Sequence, residues 1–125
     1  MSYQTVLTTP VIEKQTTVLT GVIQDENGSP IAASQLETFI LYLYNQKNSA
    51  IINTRSGSNI LNANGGTVDA NGVFVLTLDS ADMTLVGTDT LEIHVAQFRW
   101  TWPNGAPVKS GVHEVIFSVY NLANL

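Results

Sequence analysis

Four Asn-Gly pairs divide the chain into short segments, and their spacing constrains the fold more than any other feature of the sequence. The pairs are Asn27-Gly28, Asn64-Gly65, Asn71-Gly72 and Asn104-Gly105. Asn followed by Gly occupies the positive-φ positions of a tight hairpin turn at low energetic cost. The segments between them are rich in β-branched and aromatic residues, and apolar residues recur at every second position in several of them. The sequence therefore predicts short strands joined by tight turns.

The predicted secondary structure is almost entirely β, with the strands arranged as a two-sheet sandwich. One exception is a short helical turn near residues 80–86, where Asp79 is a candidate N-cap and Asp82 follows three residues later. We expect this turn to connect the two sheets. The predicted strands are Gln4–Thr8, Thr16–Gln24, Ile31–Gln35, Thr38–Tyr44, Ala50–Asn53, Thr67–Asp69, Val73–Leu78, Thr90–Trp102 and Val112–Asn121.

The length of 125 residues fits one domain with a substantial core. Residues 16–125 are predicted to form the sandwich, and residues 1–15, which Pro10 interrupts, form an extended arm or an edge strand. An arm would add itself to the open sheet edge of a neighbouring molecule, whereas an edge strand would stay within its own domain. Only 12% of residues are charged, which indicates that part of the surface contacts other subunits.

The charge distribution excludes two classes of partner. The net charge is −5, and the five basic residues are scattered singly, so neither nucleic acid nor an anionic membrane surface is expected to bind. The chain has no cysteine and therefore no disulfide framework. The first residues lack a basic n-region and a long apolar run, so we expect no signal peptide and synthesis in a cytoplasm.

Two segments carry a resemblance to known families. Thr20–Ser34 (TGVIQDENGSPIAAS) and Val68–Leu76 (VDANGVFVL) resemble the turn-and-strand patterns of transthyretin-like and carboxypeptidase-regulatory-like domains. That resemblance implies an Ig-like antiparallel β-sandwich of about seven to nine strands. The remaining segments, among them EIHVAQFRWTW, look like small Ig-like proteins encoded in the structural modules of tailed bacteriophages. This second resemblance implies a virion protein that is made in the host cytoplasm.

Few residues have the chemistry of a metal or catalytic site. Glu92 and His94 share one face of a strand, and antiparallel pairing that places His113 opposite His94 would approach a zinc ligand set. The alternative is that both histidines are hydrogen-bonded strand residues, and we favour it. Asp25 and Asp69 begin oxygen-rich turns, but turn chemistry accounts for both without calcium. No nucleophile elbow or phosphate-binding loop is present, so we expect no enzyme, cofactor or metal.

The aromatic segment Glu92–Pro103 (EIHVAQFRWTWP) changes its apolar face midway. Leu91, Ile93 and Val95 are odd-numbered, whereas the following apolar residues are even-numbered. This change predicts either a bulge near Val95–Gln97 or a strand covered on both faces. Phe98 and Trp100 are expected in the core, while Trp102 is expected to be exposed, with Arg99 on the opposite face.

These observations predict a non-enzymatic virion protein that acts by protein–protein assembly, as a capsid decoration or cement protein or as a neck or tail component. It would form homo-oligomers and bind capsid, portal or tail proteins. Residues 55–66 are predicted to form a surface loop that docks. The rival hypothesis is a carbohydrate- or host-surface-binding module using Trp100 and Trp102, and a metalloprotein using His94 and His113 is the third. The candidate contact residues are Tyr3, Val6, Leu7, Arg55, Ile60, Leu61, Arg99, Trp102, Leu122 and Leu125.

Overall fold

The structure, a computed structural model, describes residues 2–103 and 108–122, with side chains from Gln4 onward. Nine strands and two 3₁₀ turns, Ala33–Gln35 and Ser80–Met83, make up its regular structure, and the predicted all-β sandwich is confirmed. Within the described ranges, no helix has the length and hydrophobicity needed to cross a membrane. The strands are β1 (Ser2–Val6), β2 (Val11–Ile12), β3 (Thr17–Val22), β4 (Thr38–Asn45), β5 (Ile51–Asn59), β6 (Gly66–Val68), β7 (Val73–Leu78), β8 (Leu91–Trp102) and β9 (Lys109–Tyr120).

The larger sheet has the order β1-β9-β8-β4-β5, and β2 also pairs with β9. Its centre is antiparallel, but β1 and β2 both run parallel to β9, which departs from the wholly antiparallel sandwich that was predicted. The N-terminal segment is therefore an edge strand of its own sheet, divided in two around Pro10. Proline has no N–H for the ladder, so the pairing stops before it and resumes after it.

The smaller sheet has the order β3-β7-β6 and covers the inner face of the larger one. Phe74 on β7 is its central contact. The ring centroid of Phe74 lies 5.5 Å from that of Phe39 on β4 and 4.6 Å from that of Phe98 on β8. All three rings are fully buried, and burying large aromatic side chains is a main source of stability in such a core.

Two of the Asn-Gly turns are built in the same way. In the first, Oδ1 of Asp25 accepts hydrogen bonds from the backbone N–H groups of Asn27 and Ser29. In the second, Oδ1 of Asp69 accepts from the N–H groups two and four residues later. The second turn packs against the backbone of the first hairpin, because the Gly72 carbonyl accepts from the Ile23 N–H. The carboxylates therefore have the backbone role expected of aspartate in turns.

The predicted strand at Ile31–Gln35 is wrong, because these residues form an irregular segment that ends in the first 3₁₀ turn. The Gln35 side chain accepts a hydrogen bond from the Ala32 N–H, and the Ala33 N–H donates to the Asp69 carbonyl. These bonds to a side chain and to a turn replace a strand ladder. Only Ile31 of the segment is fully buried.

The predicted surface loop at residues 55–66 is also wrong in its first part, because β5 continues to Asn59. Two register shifts interrupt the pairing of β5 with β4, and Asn53, Thr54 and Gly57 have positive φ. Such bulges carry extra residues in one strand and redirect its side chains. The segment that follows includes Ile60, which is fully buried and therefore lies in the core rather than on the surface.

The predicted bulge at Val95–Gln97 is absent, because β8 pairs without interruption with both β4 and β9. Its even-numbered side chains face the core along the whole strand. Leu91 and Ile93 lie on the outer face and are each 38% exposed, so they are not core residues. Val95 is buried although it shares that outer face, since Tyr44 and Ile116 flank it in register.

Candidate functional site

The outer face of the larger sheet carries the main exposed apolar surface of the described chain. A complete apolar row crosses its five long strands, formed by Ile51, Tyr44, Val95, Ile116 and Val6. Two further rows lie toward one end of the sheet, one through the pair Ile93 and Ser118 and the other through the pair Leu91 and Tyr120, and they add exposed apolar side chains. We call the exposed members of these rows the outer patch, which consists of Val6 (61% exposed), Ile51 (45%), Leu91, Ile93 and Tyr120 (38% each).

A polar network borders the outer patch on the same face. Arg99 donates from Nε to Oε1 of Gln97 at 2.6 Å, and its guanidinium lies 4.6 Å from the centroid of the Tyr42 ring. Oε2 of Glu114 accepts from Nε2 of Gln97 at 3.0 Å and from the Tyr44 hydroxyl at 3.2 Å. Burial, followed by the Glu114 carboxylate, raises the pKa of Tyr44. The network holds Arg99 above the sheet on the side opposite Trp100 and Trp102, as predicted.

Shallow cavities lie on both sides of Arg99. One, of about 370 Å³, includes Ile40, Thr101 and Val112 in its lining, and the other, of about 260 Å³, includes Tyr42. No ion pair to Arg99 is found among the residues that the structure describes. The guanidinium is therefore exposed beside an apolar surface.

Glu92 and His94 form a buried pair on the inner face of β8. Nε2 of His94 lies 2.9 Å from Oε1 of Glu92, and both residues are almost completely buried. The same carboxylate accepts hydrogen bonds from the N–H groups of Val86 and Gly87 at 2.9 and 2.7 Å. Burial raises the pKa of Glu92, but these bonds outweigh it and hold the pKa below its ordinary value.

The bond to an ionised carboxylate fixes the tautomer of His94, because only a protonated Nε2 can donate to it. Nδ1 is buried and has no hydrogen-bond partner in the described part of the chain. A proton placed there would lie in the core without an acceptor. Burial lowers the pKa of His94 despite the neighbouring carboxylate, so the ring is neutral. The pair thus fastens the β7–β8 connection to β8.

The pairing of His113 with His94, on which the metal hypothesis depends, is not formed. His113 pairs with Phe98, and His94 pairs with Phe117, which separates the two histidines by roughly 13 Å along the strands. His113 instead lies 2.9 Å from the Thr5 hydroxyl through Nε2. Among the described residues, no cluster of three or more His, Cys, Asp or Glu side chains could hold a metal ion.

Arg55 is an internal ion-pair partner rather than an open contact residue. Its Nε and Nη2 bind the two oxygens of Asp82 at 2.9 and 3.0 Å. Asn53 and the Asp79 N–H add hydrogen bonds to the same buried carboxylate. The bulged course of β5 directs the side chains of Asn53 and Arg55 toward the second 3₁₀ turn. Asp79 caps that turn through the N–H groups of Ala81 and Asp82, which confirms its predicted N-cap role.

Trp102 is only 6% exposed, so the expectation that it projects from the surface is wrong. It continues the inward series of β8 and lines one side of a cavity of about 540 Å³ with Ile31 and Gln35. Trp100 is 1% exposed. Neither indole presents its face to solvent, and the platform on which a carbohydrate-binding module would depend is therefore not formed by these residues.

The other predicted contact residues are distributed between the N-terminal strand and the surface. Tyr3 lies on β1, where its backbone pairs with His113. Leu7 and Leu61 are partly buried against the core, while Leu122 is 50% exposed. Leu125 and the Asn104-Gly105 turn lie outside the described residues.

Apart from Val6, the residues of the outer patch were not predicted from the sequence to be contact residues. Ile51, Ile93 and Leu91 were assigned to strands, but their alternation alone does not tell which face is covered. Glu92 and His94 carry the missing signal. Two polar residues that can bond one another on one face of a strand can occupy the core, which leaves the alternating apolar residues Leu91 and Ile93 on the outside.

Comparisons of the chain with protein-family models, with curated proteins and with solved structures find no match.

Proposed function

We propose that this chain is a non-enzymatic structural protein of a bacteriophage virion, which binds other virion proteins through the outer patch. The observation that carries the proposal is the apolar row across the larger sheet, which ends in side chains exposed by 45–61%. Exposed apolar surface bordered by polar groups is typical of protein-binding sites. Arg99 supplies a charge that orients a partner bearing a carboxylate.

Two features of the sequence support the virion setting. Several segments resemble small Ig-like proteins of phage structural modules. The low charged fraction, 12%, also suits a protein whose surface is largely covered in an assembly. In this role the chain acts as a capsid decoration or cement protein or as a neck or tail component, in contact with capsid, portal or tail proteins.

The test uses particles of the phage that encodes the chain, purified from cells that express a variant in place of the native protein. Ile93→Asp puts a charge in the outer patch, and Val18→Asp puts one on the outer face of the smaller sheet, where Val18 is 56% exposed. We expect the native chain and Val18→Asp to sediment with particles and Ile93→Asp to remain in the supernatant.

Circular dichroism of both purified variants checks that each retains its strands. Absence of the native chain from purified particles contradicts the virion assignment. Equal incorporation of the two variants contradicts the role of the outer patch.

A further inference from the structure

The described side chains of strand β1, those of Gln4, Thr5 and Val6, contribute little to its attachment, whereas its backbone is paired along the whole strand. Gln4, Thr5 and Val6 are all exposed, and Leu7 just beyond the strand is the first partly buried side chain described. The Thr5 hydroxyl bonds His113, and the backbone of β1 forms the parallel ladder to β9. Burial of apolar side chains is what makes most strands hard to remove, and residues Gln4–Val6 of β1 have almost none of it.

The segment that follows β1 has the form of a hinge. Val6 pairs with Ile116 and Val11 pairs with Val119, so four residues of the N-terminal segment span the same distance as two residues of β9. The Leu7 N–H still donates to the Ile116 carbonyl, which leaves residues 8–10 outside the ladder, and all three are exposed. Pro10 favours an extended backbone conformation at Thr9, so the hinge at residues 8–10 can straighten at little cost in free energy.

Removal of β1 uncovers the backbone groups of residues 112–116 on β9. The segment that fits this edge best is β1 itself, because its register, its direction and the position of Leu7 are already matched to it. Residues 2–10 contain no charged side chain, so the segment itself adds no charge repulsion when it pairs with another molecule. A displaced β1 segment of one molecule therefore fits the uncovered β9 edge of another molecule.

We propose that β1 exchanges between copies of this chain. β1 of one molecule leaves its own β9 and pairs in the same parallel register with β9 of a second copy, a domain swap about residues 8–10. The exchanged pair has the same contacts as the internal one, so the local concentration of copies decides which forms. Val6 also keeps its place on the outer face, so exchange leaves the outer patch intact.

The chain contains no cysteine, so single introduced thiols report the exchange cleanly. Val6 and Ile116 are direct neighbours on the outer face. Full-length Val6→Cys chains, isotopically labelled, are mixed with unlabelled Ile116→Cys chains in a thiol–disulfide buffer, and mixed dimers are counted by mass spectrometry. The matched control replaces Ile116→Cys with Ile51→Cys, which lies on the same face and is 45% exposed.

We expect the Val6–Ile116 dimer to exceed the Val6–Ile51 dimer by about tenfold, because exchange holds the first pair of thiols together. Random collision gives the opposite order, since Ile51 is more exposed than Ile116. A chain that carries both Val6→Cys and Ile116→Cys should close an internal disulfide and, once closed, should form no mixed dimer with Ile116→Cys chains.

Equal yields of the two mixed dimers, or a lower yield for Ile116, would overturn the proposal. The measurement uses the chain alone, so its failure leaves the virion assignment standing. Conversely, the absence of the chain from particles leaves strand exchange standing.

Discussion

At the scale of single residues, Gly111 is required by its neighbour Trp100. The two residues pair across β8 and β9, and the indole occupies the space where a side chain of residue 111 would begin. A Cβ at Gly111 would lie 2.5 Å from Cε2 of Trp100. We expect Gly111→Ala to lower the free energy of unfolding by about 1–3 kcal/mol, measured by urea denaturation, because the buried indole must move.

Gly87→Ala is the matched control for this packing effect. The nearest atom to a Cβ at Gly87 is Oε2 of Glu92 at 3.4 Å, and the N–H that bonds Glu92 is retained. We expect a change within about 0.5 kcal/mol. Equal losses in the two variants would contradict the packing explanation.

Asp82 is the second residue with a large predicted effect. Its carboxylate is fully buried, and it binds Arg55 through both oxygens. Burial raises the pKa of Asp82, but the hydrogen bonds from Arg55 and Asn53 lower this pKa by a larger amount, so the carboxylate is ionised. We expect Asp82→Ala to lower the free energy of unfolding by about 3–5 kcal/mol, because it leaves the Arg55 charge without its partner.

Asp89→Ala provides the comparison, measured in the same urea titration. Asp89 lies 3.9 Å from Lys47, and both side chains are largely exposed. Exposed ion pairs contribute about 0–1 kcal/mol, so we expect little change. A loss at Asp89 as large as that at Asp82 would show that burial does not set the strength of these pairs.

At the scale of elements, β1 and β8 should differ strongly in amide hydrogen exchange. β8 is paired on both sides and its inner face is buried, whereas β1 is paired on one side and its described side chains are exposed. Local opening of β1 therefore costs much less than unfolding the sheet. We expect β1 amides to exchange orders of magnitude faster than those of β8. Equal protection would contradict both this description and strand exchange.

The elements that the sequence predicted correctly are those whose chemistry is local. Asp25 and Asp69 bond N–H groups within their own turns, and Asp79 caps the turn that it begins. A few neighbouring residues determine such features, so the sequence is sufficient to find them. The strands near Thr38–Tyr44 and Val73–Leu78 were predictable in the same way, from their residue types.

The features that the sequence did not predict depend on contacts between distant segments. Trp102 is buried at the end of β8, where it lines a cavity together with Ile31 and Gln35 of the irregular segment. The Arg55–Asp82 pair requires bulges in a segment whose Gly, Ser and Asn content favours a loop. Parallel pairing of the first strand likewise joins residues 2–6 to residues 112–116, at the opposite end of the sequence. None of these arrangements has a signature within a short window.

At the scale of the whole molecule, stability should fall on acidification. Burial lowers the pKa of His94, and burial also lowers that of His113, from an ordinary value of 6.5. The unfolded chain therefore binds protons at a higher pH than the folded chain does. The stabilisation from keeping both rings neutral is complete above about pH 6.5 and is lost as the pH falls toward the folded pKa values.

Urea denaturation at a series of pH values measures this loss. We expect the free energy of unfolding of the double variant His94→Gln, His113→Gln to depend less steeply on pH between about pH 6.5 and 4.5. These limits are the ordinary pKa values of histidine and glutamate. Below that range the slope should remain, because the pKa of Asp82, which is bonded to Arg55 and Asn53 and not to His94, is also lowered in the folded state. An unchanged slope in the double variant would assign the effect to other groups.

The irregular course of β5 has a consequence for how many molecules can add to one another. An amyloid-like fibre grows only if each sheet offers a straight edge on both sides, so that every addition regenerates a site for the next. In this molecule the bulges at Asn53, Thr54 and Gly57 bend one margin of the larger sheet. Growth by edge-to-edge stacking of that sheet therefore terminates at two molecules. The bulged edge therefore protects the larger sheet against runaway edge-to-edge polymerisation.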